Sequence, residues 1–521
     1  MKNLRSLVFT LFLVWSTGTF FSGCNNSSDQ SKNVPDKKDN TTSELVAANA
    51  EPNALPFTLE FVEQSYSGKP PLPRLQSYVS AMSKDGSILI IGGRRQGLHT
   101  FLAAPGINFI PDSSNNFMFV IDPKSGNSWS FNVDSLPSNL SAPLQSTNQQ
   151  AYHDLSTDQI YIVGGYGWNA GKTNMLTFNT IISFKVEQMV AFIKSAQPAQ
   201  KVASVIQVAQ DDRLAVTGGE LFKMNGQFYL VFGQIFNGQY RGFGGSDFTQ
   251  KYTEEVRIFT LIPNSLKILS YGTSTNNSSA RPFHRRDGNI IADIDPATGA
   301  ERIAAYGGVF RPGIIGAYTY PVYINSPATP TVDTSGNQKF SQYECPVISI
   351  YDSTGGSTVY HSFFGGIGHY YYFQTASQKA AYDTVTGEGR NDGFPFVADI
   401  STFLENADGT YKEYIHTSPI PGNRLLGTSV RFIWNQDLLT QGKAYPNGVI
   451  NLSAFPNGSR QLIGYIYGGI EALNPLPLRP NTGTSVSNSL FEVYMSKTPS
   501  AAIPASQGIE STKNDVNLQR K

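Results

Sequence analysis

Ile88-Leu89-Ile90-Ile91-Gly92-Gly93 is an apolar run closed by two glycines, and it returns as Ile160-Tyr161-Ile162-Val163-Gly164-Gly165. Variants follow as Phe228-Tyr229-Leu230-Val231-Phe232-Gly233, with one glycine, and Ile303-Ala304-Ala305-Tyr306-Gly307-Gly308. The last two are Tyr360-His361-Ser362-Phe363-Phe364-Gly365-Gly366 and Gly464-Tyr465-Ile466-Tyr467-Gly468-Gly469. A short apolar run rich in β-branched and aromatic residues reads as a fully buried strand. The glycines give φ freedom and close backbone approach where the strand ends. Recurrence of one such unit marks a repeat architecture.

Working outward, each phrase follows another β-like stretch and a turn. Residues 77–82 lead into Lys84-Asp85-Gly86, residues 289–294 into Asp295-Pro296-Ala297-Thr298-Gly299, and residues 347–351 into Asp352-Ser353-Thr354-Gly355-Gly356. Residues 428–434 precede the sixth phrase through a longer insertion, 435–458. Turn residues between two apolar runs make hairpins. After the first glycine pair come a third strand, 117–121, the turn Asp122-Pro123-Lys124-Ser125-Gly126-Asn127-Ser128-Trp129, and a fourth strand ending at Val133. Residues 256–262 and 266–269 repeat that strand-turn-strand pattern. Four antiparallel strands per repeat are the composition of a propeller blade.

At these residues the chain resembles the kelch-repeat family. The resemblance is carried by Pro73-Arg74, the first hairpin, Gly92-Gly93, the stretch from Asp122-Pro123 to Trp129, and Tyr161-Ile162-Val163-Gly164-Gly165. An Arg three residues before a small residue also recurs where a blade begins: Arg74 before Ser77, Arg285 before Gly288, Arg424 before Gly427. The resemblance implies an all-β fold, a single kelch-like β-propeller over residues 56–499. Six phrases imply six blades, although their spacing exceeds the ~50 residues of a kelch repeat, and the interval between Gly365 and Gly468 leaves a seventh open. The sixth repeat has a third strand, 489–495, but no fourth before the chain turns polar at Pro499. Residues 57–62 are a strand without a repeat of their own. They are expected to supply the outer strand of the last blade and close the ring, leaving no open edge.

Charged residues make up 15% of the 521, against ~25% in an average soluble chain, and 39 Lys and Arg balance 39 Asp and Glu. Nothing in that balance recruits nucleic acid. Lys2 and Arg5 precede an apolar run at residues 7–15, and small residues lead to Phe21-Ser22-Gly23-Cys24. This is a secretory signal. Its end resembles a bacterial lipobox, with Phe21 where Leu is usual, which implies a signal peptide over 1–23 and lipidation of Cys24. Residues 24–55 are too polar to fold and read as a disordered tether, and residues 500–521 as a disordered tail. The expected location is the bacterial cell envelope, with the membrane engaged through the lipid anchor only. Cys345 then has no intramolecular partner and reads as a small buried hydrophobe. Residues 188–196 read as a short inserted helix.

In a kelch propeller the loops after the glycine pairs and the loops leading into each blade share one face. Carried over by position, that face holds Arg94, Arg95, Tyr166, Trp168, Tyr240, Arg241, Arg311, His369 and the run Tyr370-Tyr371-Tyr372. Arg74, His284, Arg285 and Arg424 join it from the leading loops, where Arg also suits a structural ion pair. Aromatic platforms with Arg forks suit sugars, carboxylates or acidic peptides. The resulting expectation is a monomeric binding or scaffolding module for an envelope protein or glycan, with no cofactor and no metal. The loop 366–394 is its largest feature. Two enzyme readings are alternatives. One is a sugar-modifying enzyme resembling the sialic-acid mutarotases, with His99, His284 or His369 as acid–base groups. The more remote one resembles the copper radical oxidases and would use Tyr360-His361, Tyr152-His153 and Cys345. Tyr360 and His361, adjacent on a strand, face opposite ways. No hydrolase elbow, zinc-protease motif or phosphate loop is present.

Overall fold

In the computed structural model, the structure describes residues 55–66, 71–99, 108–240, 248–312, 317–326, 329–368, 370–374, 379–383, 394–416, 418–477 and 480–498. The signal peptide, Cys24, the tether up to residue 54 and the polar tail lie outside the described residues. The chain is predominantly β, and its strands form six principal sheets taken in chain order. The first is a meander of Val79–Met82, Ile88–Ile91, Phe117–Ile121 and Ser128–Asn132. The second joins Gln150–Asp154, Gln159–Val163, Thr180–Lys185 and Gln207–Gln210. The third joins Glu220–Met224, Gln227–Val231, Glu255–Leu261 and Ile268–Thr275. The fourth joins Asn289–Ile294, Glu301–Tyr306, Val322–Asn325 and Pro330–Val332.

The fifth sheet runs Val347–Asp352, Thr358–Phe364, Ile400–Asn406 and Tyr411–Ile415. Two strands in the interval between Gly365 and Gly468 are therefore the third and fourth of this sheet, and a short strand at 450–451 joins its other edge. The sixth is built differently. Ile433–Trp434, Arg460–Tyr467 and Leu490–Lys497 are joined by Phe57–Glu63, which pairs antiparallel with the last strand from Phe57 opposite Lys497 to Glu63 opposite Phe491. The orphan strand near the N-terminus thus finds its expected partner over 400 residues downstream.

The phrase strands are largely apolar because each sheet is covered on both faces. In Ile88–Ile91, Ile88 and Ile90 pack with Tyr465 and Phe491 of the sixth sheet, while Leu89 and Ile91 pack with Ile160 and Ile162 of the second. All four are 0% exposed. Alternation along a strand sends successive side chains to opposite faces, so one four-residue run serves two interfaces. Each such side chain contributes about 1.5–3 kcal/mol by leaving water. The same sharing continues: second with third sheet through Val163, Ile181, Leu221 and Phe228, third with fourth through Tyr229, Val231, Ile290 and Ile303, fourth with fifth through Tyr306, Phe363 and Phe403.

The glycines are explained at those junctions. Gly468 has φ +67°, and a Cβ there would lie 2.5 Å from the Leu75 carbonyl oxygen, which accepts the Gly469 N–H at 2.9 Å. The same bond recurs from Gly93 to Ser146 at 2.9 Å, Gly165 to Val216 at 2.8 Å, Gly233 to Arg285 at 3.0 Å and Gly366 to Leu426 at 3.2 Å. Five of the six phrases, all but Ile303–Gly308, thus donate to the backbone leading into the next sheet, and the sixth donates to the backbone leading into the first.

Two insertions depart from this pattern. The expected helix at 188–196 is Val186–Lys194, and it buries Val186, Met189, Val190 and Ile193 against the first and second sheets. The expected strand 428–434 divides into Leu425–Thr428 and Ile433–Trp434. The chain then leaves the sixth sheet, and Ile450–Asn451 pairs parallel with the first strand of the fifth. Asn447 reaches the Asp293 carbonyl at 3.5 Å, and Val449 packs with Ile294 and Tyr351. The insertion therefore crosses three sheets at the end away from the glycine phrases.

Candidate functional site

The first strands of the six sheets all line one cavity, and its waist is set by backbone geometry. Ser77, Asn148, Gly218, Asp287, Glu344 and Ser429 each lie just ahead of a sheet, and all six have φ between +50° and +68°. Five of them carry side chains, and such left-handed residues cost about 1–3 kcal/mol each unless their surroundings enforce them. Here the surroundings do. Asn148 N–H donates to Ser77 O at 3.1 Å, Asp287 to Gly218 at 2.9 Å, Ser429 to Glu344 at 2.6 Å and Ser77 to Ser429 at 2.6 Å. Gly218 donates to Asn148 at 3.4 Å.

Below the waist lies a chamber of about 320 Å³, floored by residues 446–449 of the insertion. Arg431 crosses it to Glu220, with Nε at 3.0 Å and Nη2 at 2.9 Å from the same carboxylate oxygen. Asp287 and Glu344 stand side by side in the order of the waist. Ser429 Oγ donates to Glu344 Oε2 at 3.0 Å, and Arg286 Nη1 lies 3.5 Å from Asp287 Oδ2. Burial and then the Asp287 charge push the Glu344 carboxyl up to about 8, against the pull of Arg431. Burial also raises the Asp287 carboxyl, opposed by Arg286 and Arg431. The arrangement sets side by side two acids whose proton affinities are both raised by burial, a pairing able to move a proton.

Above the waist is a smaller chamber of about 130 Å³ that opens among the loops after the glycines. Those loops are ordered as hairpins: Tyr166–Trp168 with Met175–Thr177, Gln234–Gly238 with Phe248–Tyr252, and Ile470–Ala472 with Thr484–Val486. One side is aromatic. Phe109, Tyr166, Phe236 and Tyr240 form a cluster with Trp168 and Phe248 packed against it. His99 stacks on Tyr240 with ring centroids 5.1 Å apart.

The residues expected on this face are dispersed. Arg94 is buried and lines the upper chamber. Arg95 is exposed on the outside, with Nη2 3.3 Å from Asn116 Oδ1. Trp168 is half-buried, and its indole N–H has no hydrogen-bond partner among the described residues. Arg311 sits within electrostatic reach of Arg285 and Tyr318. Arg241 and His369 lie outside the described residues, and Tyr370 opens the strand Tyr370–Gln374. The arginines leading into the sheets hold the frame. Arg285 gives four bonds to the carbonyls of Pro282, Ala305, Gly307 and Tyr320, and Arg424 pairs with Glu471 at 2.7 Å and Glu63 at 2.9 Å. Arg74 donates to Val486 O at 2.9 Å. His284 stacks on Tyr252 and meets Glu254 at 2.7 Å.

The residues of the oxidase comparison separate. Tyr360 belongs to the core shared with the sixth sheet, where it meets Phe57 edge-on. Cys345 is buried in the core shared with the fourth sheet, near His361's neighbours Tyr306 and Phe363. His361 faces Asp293 at 3.4 Å inside a buried network in which Arg302 Nε lies 2.6 Å from Asp293 and Nη2 2.5 Å from Glu405.

The waist carboxylates were missed in the sequence because they lie in different repeats, and no local motif joins them. The available signal was positional: aligning the residues directly ahead of each first strand stacks Ser77, Asn148, Gly218, Asp287, Glu344 and Ser429 in one column. No family model matches this chain, and no curated protein matches it.

Proposed function

We propose that the six sheets are the blades of one kelch-like β-propeller, closed by the strand Phe57–Glu63 and carried to the cell envelope as a lipoprotein anchored at Cys24. Support for the ring comes from the order of the junction bonds, which join five of the six successive pairs of sheets, the last returning from Gly469 to Leu75. In this reading the protein is a binding module. Its ligand, a protein or glycan of the envelope, docks on the loop face and reaches into the mouth of the channel. The observation that carries it is convergence: residues following three different glycine phrases, Arg94, Tyr166, Phe236 and Tyr240 among them, meet around one opening. Concave sites with an apolar wall and few polar groups are where ligands bind.

The test is retention of envelope glycans and proteins by the immobilised protein, compared with the double variant R95A/W168A. Binding lost in that variant, with melting temperature unchanged, supports the reading. Equal retention by both, or none by the parent, sinks it. Anchoring is tested separately by palmitate labelling, which C24S should abolish.

A second reading, the mutarotase-like one, is favoured by one observation, the adjacent acids Asp287 and Glu344 at the waist. Sugar-ring opening needs an acid and a base within reach of one oxygen. Exchange between anomers, followed by magnetisation transfer on candidate sugars, should then be accelerated by the parent and not by E344Q.

A further inference from the structure

Within the loop-face reading above, on which this inference rests, we infer that the upper chamber takes the carboxylate of a small hydroxylated organic acid, with Arg94 as its anchor. Arg94 is 3% exposed. Among the described residues its side chain bonds only through Nη2, to Gln96 Oε1 at 3.1 Å and to the Ile110 carbonyl at 3.4 Å, and its guanidinium lies 5.0 Å from the centre of the Phe109 ring. A guanidinium has five N–H donors in a fixed fork. Nε and Nη1 are therefore left without partners among the described residues.

The other buried arginines show what this fold does with such a group when the role is structural. Arg257 has Glu255 at 2.7 Å, Arg302 has Asp293 and Glu405, and Arg286 has Asp287 at 3.5 Å. Arg285 lacks a carboxylate but fills its fork with four carbonyl oxygens. Arg94 has neither a carboxylate nor a filled fork. A buried cation without a counter-charge is costly, and burial accordingly pulls the Arg94 guanidinium down to about 10.

The chamber that Arg94 lines supplies the rest of a site. Aromatic rings of Phe109, Tyr166 and Tyr240 form one wall, suited to the apolar face of a sugar-like carbon chain. Asp287 and Glu344 lie at its floor, where carboxyl groups can hydrogen-bond to hydroxyls. A planar fork above and acids below orient a ligand with a carboxylate at one end and hydroxyls at the other.

The experiment titrates the purified protein with D-glucuronate, lactate and acetate at constant ionic strength, with D-glucose as the uncharged control, reading melting temperature and heat of binding. Saturable stabilisation by a carboxylate and none by glucose is expected. R94Q should weaken that affinity about 10- to 100-fold, the usual worth of a hydrogen bond to a charged group, and R213Q, in a surface pair with Asp211 away from the chamber, should leave it unchanged. Because R94Q removes a buried side chain, a second measurement uses the parent alone: crystals soaked in bromoacetate should show the bromine in the chamber beside Arg94. No response to any of the three acids, an undiminished response in folded R94Q, or bromine only elsewhere overturns the inference. A protein that binds envelope partners but ignores carboxylates keeps the proposed function and loses this inference. A carboxylate response without envelope binding does the reverse.

Discussion

Replacing Gly468 by Ala puts a single methyl group into the junction between the sixth sheet and the first. At φ +67° an L-residue costs about 1–2 kcal/mol from backbone sterics alone. The methyl would also stand 2.5 Å from the Leu75 carbonyl oxygen, well inside van der Waals contact, so the two chains must part. Parting them breaks the 2.9 Å bond from Gly469 N–H to Leu75 and leaves a buried donor unpaired, worth roughly 1–3 kcal/mol more. The expected loss is about 2–5 kcal/mol. Gly226 is the matched control: its φ is +78°, it is exposed in a turn, and a Cβ there meets nothing within 4 Å. G226A should cost only the shared backbone term, about 1–2 kcal/mol. Urea unfolding followed by tryptophan fluorescence compares the two midpoints, given an unchanged denaturant slope. If G468A and G226A agree within about 0.5 kcal/mol, the scatter of neutral surface changes, the glycine pair is not needed for inter-sheet approach and the junction argument fails.

Four other outcomes follow from the packing and electrostatics. Phe57 is 2% exposed and meets Tyr360 edge-on at 5.5 Å, so F57A should cost about 3–5 kcal/mol, while loss of residues 57–63 should bare the strand Leu490–Lys497 and show as aggregation in light scattering. Glu344 is pushed up to about 8, so the folded chain keeps a proton that the unfolded chain releases above its ordinary carboxylate value. This contribution is fully present below that ordinary value and is lost as pH rises through 8, so E344Q should raise the melting temperature more at pH 9 than at pH 5; a pH-independent difference contradicts it. R302A leaves Asp293 and Glu405 buried without their cation and should cost about 3–5 kcal/mol in the same urea assay. Cys345 is 1% exposed and its thiol is pushed up to about 12 by burial, so it should react with a thiol reagent only at the rate of unfolding.

Much of the frame could be read along the chain because its signals are local. An uninterrupted apolar run such as Ile88–Ile91 demands cover on both faces, and a glycine pair after it demands a close neighbour, whatever that neighbour is. Phe57–Glu63 was legible for a similar reason: an alternating strand with no hairpin partner must complete an edge somewhere. The helix near residue 190 was legible from its periodicity, but its docking across two sheets was not.

What the sequence by itself determined is therefore the kind of element, its repetition and the residues that terminate it, since propensity and burial pattern act over a few residues. Only the tertiary structure decided which groups meet. Arg94 and Arg95 are chemically identical neighbours, yet one is 3% exposed in a chamber and the other points outward, because successive residues of an extended chain face opposite sides. Asp287 and Glu344 are 57 residues apart and become a pair only when the backbones leading into the fourth and fifth sheets converge at the waist. Their proton affinities come from that convergence: burial raises both and the Asp287 charge raises Glu344 further, and these are properties of a folded place that no stretch of chain contains.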